Sequence, residues 1–116
     1  MWRTRSGKYN AEKVSASDGT LCASKRERRR YEQLLLLARA GRITDLRIQV
    51  PFELVPKQRN EDGKAIRKVE YVADFVYTDT ETGRQIVEDT KGMKTREYVI
   101  KAKLMLWRYG ITVREV

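Results

Sequence analysis

The sequence predicts an α/β domain in which a mixed β-sheet is flanked by helices in the order α-β-β-β-α-β. Three observations carry that prediction. Two stretches with helical apolar spacing end at glycines, three strand-like runs lie between them, and a last short β-rich run closes the chain. At 116 residues, one compact core is affordable and two are not.

Val14 to Cys22 reads as a short hairpin turned at Asp18-Gly19. Ser24 and Glu27 have the spacing of a capping box, Tyr31, Leu34, Leu35 and Ala38 recur at helical intervals, and Gly41 stops that helix. Strands follow at about Leu46 to Val55, Val69 to Thr78 and Arg84 to Lys91, with a polar loop from Pro56 to Lys68 between the first two. A second helix from about Thr95 to Tyr109 places Tyr98, Ala102, Met105 and Tyr109 on one stripe, and Ile111 to Val116 forms the last strand. Residues 1–22 read as a basic arm with its hairpin, and residues 23–116 as the folded domain.

Charge restricts the partners. Lys and Arg number 25 against 16 Asp and Glu, a net charge of +9, yet 41% of the chain is hydrophobic. This is too apolar for a disordered tail and points to a folded protein with a polyanionic partner, DNA first. The excess lies early: residues 1–44 carry 11 Lys/Arg against 4 Asp/Glu, and residues 45–116 carry 14 against 12. Arg26, Arg29 and Arg30 on the first helix, with Lys94 and Lys101 beside and on the second, are the candidate phosphate contacts.

The absence of histidine excludes Ser-His and Cys-His nucleophile pairs and imidazole metal sites. The single Cys22 excludes an internal disulfide and suits a reducing compartment. Neither a membrane-spanning run nor a signal-peptide core is present, so a cytoplasmic location is expected. Chemistry must rest on carboxylates, lysines, hydroxyls or an oxygen-bound ion.

The period-2 rule puts Asp74 on the face of Val72 and Val76, and Asp89 and Lys91 on the face of Val87, with Glu88 and Thr90 turned away. A four-residue loop, Thr80 to Gly83, sets Asp79 opposite Arg84, so paired positions add to 163 and Asp74 meets Asp89. Two facing acids need a positive charge between them, and a hard divalent cation with water and a phosphate meets that need, with Lys91 close by. The structural alternatives are a helix cap for Glu27, a satisfied buried acid for Asp74 and a same-face ion pair for Asp89 and Lys91.

Asp74 followed on the next strand by Asp89-Thr90-Lys91 resembles the D…(D/E)xK signature of the PD-(D/E)XK nuclease superfamily, with Ala73 where proline often stands. Lys8 to Ala11, Asp18-Gly19, Ser24 to Glu27 with Tyr31, Gln49, Tyr71 to Tyr77, Glu88 to Gly92, and Thr95 with Lys101 are similar to small phage and prophage endonuclease-like proteins of a family of unknown function. The resemblance implies a restriction-endonuclease-like core and a Mg²⁺-dependent (or Mn²⁺-dependent) DNA endonuclease. By the same resemblance Glu27, Asp74, Asp89 and the Thr90 carbonyl would ligate metal, and Lys91 would assist the attacking water. Branched, four-way-junction DNA is an attractive substrate by that analogy. One site cuts one strand, so duplex cleavage implies a homodimer or two nicks. A binding module that keeps the fold without catalysis, and an RNA-processing nuclease, are the rival expectations.

Overall fold

A computed structural model of the chain describes residues 13–116, so the basic residues Arg3, Arg5 and Lys8 lie outside the described part. The architecture is mixed α/β. Strands β1 (Val14–Ser15) and β2 (Leu21–Cys22) form a hairpin, followed by α1 (Lys25–Arg39) and β3 (Ile43–Val55). A small hairpin of β4 (Gln58–Arg59) and β5 (Ala65–Ile66) precedes β6 (Val69–Asp79), β7 (Gln85–Asp89), α2 (Arg96–Tyr109) and β8 (Arg114–Glu115). The four-stranded sheet runs β3-β6-β7-β8, antiparallel except for the parallel β7–β8 pair.

Both helices start and stop where local chemistry dictates. Ser24 caps α1 by accepting the Glu27 N–H at 3.1 Å, and Thr95 caps α2 by accepting the Tyr98 N–H at 3.1 Å. Gly110, at φ 69°, ends α2 in the left-handed region that a residue with a Cβ adopts at a cost.

Each helix covers its own apolar cluster. Tyr31 and Leu34 of α1 pack with Ala16, Cys22, Ile43, Phe75, Tyr77 and Ile86, so the first hairpin belongs to the same core as the sheet. Tyr98 and Met105 of α2 pack with Leu54, Tyr71, Ala73, Val76, Val87 and Val113. Of the leucine run, Leu34 is fully buried, Leu35 and Leu37 pack at the cluster margin, and Leu36 faces solvent. Trp107 is 79% exposed, on the outer side of α2.

The β6–β7 register agrees with the loop arithmetic: Phe75 pairs with Glu88 and Val76 with Val87, behind a turn closed by the Asp79 N–H to the Arg84 carbonyl. Several boundaries differ, and the last strand spans only Arg114–Glu115 rather than Ile111 to Val116. Strand β3 begins at Ile43 rather than Leu46, its pairing interrupted between Thr44 and Arg47, where Asp45 takes φ 55°. The Pro56 to Lys68 segment contains a hydrogen-bonded hairpin rather than an irregular loop. Strand β7 stops at Asp89, which leaves Thr90 and Lys91 beyond the ladder.

Candidate functional site

The simple face rule fails at Asp74. Tyr71 and Ala73 pack beneath α2, but Phe75 and Tyr77 pack beneath α1. The neighbouring strand changes in step, with Ile48 in the α1 cluster and Val50 in the α2 cluster. Between them Gln49 has φ 51°, an uncommon conformation for a residue bearing a Cβ. Gln49 stands in register with Asp74, and its amide reaches Asp74 Oδ1 at 3.3 Å. The sheet therefore twists out of strict alternation at the position that carries the acid. Val72 is exposed and Val76 buried, so Asp74 is half-buried rather than surrounded by apolar groups.

Thr90 holds the second oxygen. Both its N–H and its hydroxyl donate to Asp74 Oδ2 at 2.8 Å, which is the opposite of the outward orientation that strand parity assigned. The ladder's end at Asp89 frees the chain to turn there, so Thr90 meets Asp74 through its donors.

Asp89 is 2% exposed and accepts the Tyr71 hydroxyl at 2.6 Å. Burial raises its pKa above the usual carboxylate range, the Tyr71 hydrogen bond opposes that, the Asp74 charge adds to it, and Lys91 lowers it. Glu27 comes from the first turn of α1 and is 6% exposed. Its carboxylate accepts the Ala23 N–H at 3.1 Å, one residue before the N-cap, so it departs from a standard capping box. Burial pushes its pKa up, the Ala23 N–H counters, and Asp74 and then Asp89 push it further. The charge of Asp74 acts on both Glu27 and Asp89 and raises each.

Three carboxylates from α1, β6 and β7 thus converge with their charges incompletely compensated. Lys91 is the cation beside them, its Nζ 5.4 Å from the centre of the Tyr98 ring. Lys91 and Lys101 line one shallow cavity of about 230 Å³ together with Tyr71 and Tyr98. Among the described residues, no group of three or more Asp, Glu, Cys or His side chains is so placed that it could hold a metal ion as it stands. The donor set is nevertheless all oxygen, the chemistry of a hard divalent cation, and bringing such an ion in would offset the burial first and the mutual repulsion second that raise Glu27 and Asp89.

Glu88 points away from these acids, into the α1 side. It is 1% exposed and accepts two hydrogen bonds from Arg30, at 2.8 and 2.6 Å, and one from the Tyr77 hydroxyl at 2.5 Å. Arg30 is consequently a structural partner rather than the free phosphate contact expected from its place in a basic run. Arg26 donates to the Val116 carbonyl, Lys94 pairs with Glu115 at 2.8 Å and Lys101 with Glu97 at 3.0 Å. Arg108, seven residues beyond Lys101 on α2, binds the Leu54 carbonyl and pairs with Glu53 at 3.8 Å, so these three cations are each engaged within the fold. Arg29 remains on a cleft of about 360 Å³ with Arg26, Arg30, Gln33 and Thr90.

Tyr71 is the site residue that sequence reasoning missed. Its burial in a strand otherwise rich in apolar residues was the available signal, because a buried phenol requires a hydrogen-bond acceptor.

No helix among the described residues is long and apolar enough to cross a membrane. Neither the curated proteins nor the solved structures contain a match to the chain. Residues 6–114 match a family model described as "Protein of unknown function (DUF1064)", and that coverage makes the chain a member of this family.

Proposed function

We propose that the protein is a Mg²⁺- or Mn²⁺-dependent DNA endonuclease of PD-(D/E)XK type acting in the cytoplasm. The observation that carries the reading is the meeting of Glu27, Asp74 and Asp89, from three separate elements, beside Lys91. Glu27, Asp74 and Asp89 would hold the ion, with the Thr90 carbonyl as a further ligand by resemblance. The bound ion would supply an activated water and neutralise charge developing on a phosphate oxygen.

The remaining chemistry belongs to side chains. Thr90 and Gln49 fix the Asp74 carboxylate, the Tyr71 hydroxyl fixes Asp89, and the Ala23 N–H fixes Glu27. Lys91 would orient the attacking water or stabilise the charge that grows on the phosphate. One such site breaks one strand, so cutting both strands of a duplex or junction requires a homodimer or successive nicks.

The test is to incubate supercoiled plasmid and a four-way junction with the protein in Mg²⁺, Mn²⁺ or EDTA, beside Asp74→Ala and Lys91→Ala. Metal-dependent cutting that both variants lose while still binding DNA supports the enzyme. Binding without cutting under every condition leaves the non-catalytic module as the better account.

A further inference from the structure

The β4–β5 hairpin is a built structure with no core to explain it. Every residue from Pro56 to Val69 is exposed. Its tip is nonetheless tied: Asn60 Oδ1 accepts the N–H groups of Asp62 and Lys64, the Asn60 N–H binds the Lys64 carbonyl, and Gly63 takes φ 81°. An unpacked two-stranded hairpin is marginal in water, so burial does not account for its order. Its charge is distinctive. Lys57, Arg59, Lys64, Arg67 and Lys68 flank a tip that carries only Glu61 and Asp62. Lys57, Lys64 and Arg67 form no ion pair among the described residues, whereas Lys68 pairs with Glu70. Lys57, Arg67 and Lys68 also border a concavity of about 480 Å³ with Ala65 and Glu70.

We infer that this ribbon is a groove-binding arm for B-form duplex DNA, and that the substrate is therefore duplex on the side of the cut facing β4–β5. The inference rests on the nuclease reading for where the cut lies, and deepens it by naming the form of the substrate. A two-stranded ribbon fits a major groove about 12 Å wide, whereas the deep, narrow major groove of an A-form RNA duplex does not admit it. The ribbon joins the sheet where Val55 pairs with Val69, five residues along β6 from Asp74. At about 3.3 Å per residue that separation is about 17 Å, half of a B-DNA turn of about 34 Å. A duplex whose scissile phosphate lies at Asp74 thus presents its next groove to the ribbon.

The experiment measures binding in EDTA, so it is independent of cleavage. Labelled 24-mers, as DNA duplex, RNA duplex and single-stranded DNA, are titrated by anisotropy across a salt series with the wild type and with K57Q/K64Q/R67Q. All three positions are exposed, and a thermal melt checks that the variant is folded. The expected result is a loss of about tenfold or more for DNA duplex and a salt slope shallower by about 2 to 3, with less than about threefold change on the other two ligands. The converse variant E61K/D62K should tighten duplex binding by about threefold or more through added phosphate contacts. Unchanged duplex affinity in K57Q/K64Q/R67Q, or equal losses on all three ligands, would overturn the arm. Plasmid cutting in Mg²⁺ alongside unchanged binding sinks the arm and spares the nuclease; ribbon-dependent binding without cutting in any metal does the reverse.

Discussion

Replacing Arg30 by Met keeps most of the side-chain volume and strands Glu88, which is 1% exposed, without its cation. The two lost contacts, at 2.8 and 2.6 Å, are charge-assisted, and such bonds contribute about 1.5–3 kcal/mol each. Removing one partner of a buried pair leaves the other charge uncompensated, so Arg30→Met should lose about 3–4 kcal/mol of unfolding free energy at pH 7. Adding Glu88→Gln should restore part of the loss, since the Tyr77 hydroxyl can still bond a neutral acceptor. Urea titrations of the wild type, the single variant and the double variant at pH 7 measure this. A loss below about 1 kcal/mol, or a double variant no more stable than the single one, would refute the claim that Glu88 depends on Arg30 for its charge.

The carboxylate cluster makes a pH prediction of its own. Glu27 and Asp89 have raised pKa values in the folded state, so their contribution is fully present below the unfolded values near 4 and is lost as pH rises through the raised ones. In EDTA, Asp74→Asn should flatten that decline in urea midpoints between about pH 4 and pH 7, because it removes a charge that raises both. Adding Mg²⁺ or Mn²⁺ at about tenfold above its dissociation constant should stabilise the wild type by about 1.4 kcal/mol, or about 4–8 °C in melting temperature; EDTA should reverse this and Asp74→Ala abolish it. Tyr71→Phe removes the hydroxyl that lowers the Asp89 pKa. It should cost about 1–2 kcal/mol in urea and move the acid limb of the cleavage–pH profile to higher pH.

What could be read from residues alone was whatever depends on neighbours in the chain. Ser24 and Thr95 mark their helix starts, and the loop from Thr80 to Gly83 is short enough to set the β6–β7 register by counting. The meeting of Asp74 with Asp89 follows from that count. What escaped depends on backbone geometry or on distant partners. Nothing in the identity of Gln49 announces a positive φ, yet that residue sits where the two strands exchange faces. Arg30 and Glu88 are 58 positions apart, so a basic run on a helix was indistinguishable from a solvated or DNA-binding face until the sheet placed Glu88 under it. Thr90 was misdirected because parity was carried past the last paired residue.

The most direct test of the central claim is anomalous diffraction from crystals grown with Mn²⁺. The account predicts a Mn²⁺ peak within about 2.5 Å of carboxylate oxygens of Asp74 and Asp89, with Glu27 facing the same ion. Density free of Mn²⁺ at millimolar concentrations, with the three carboxylates pointing to different surfaces, would contradict it.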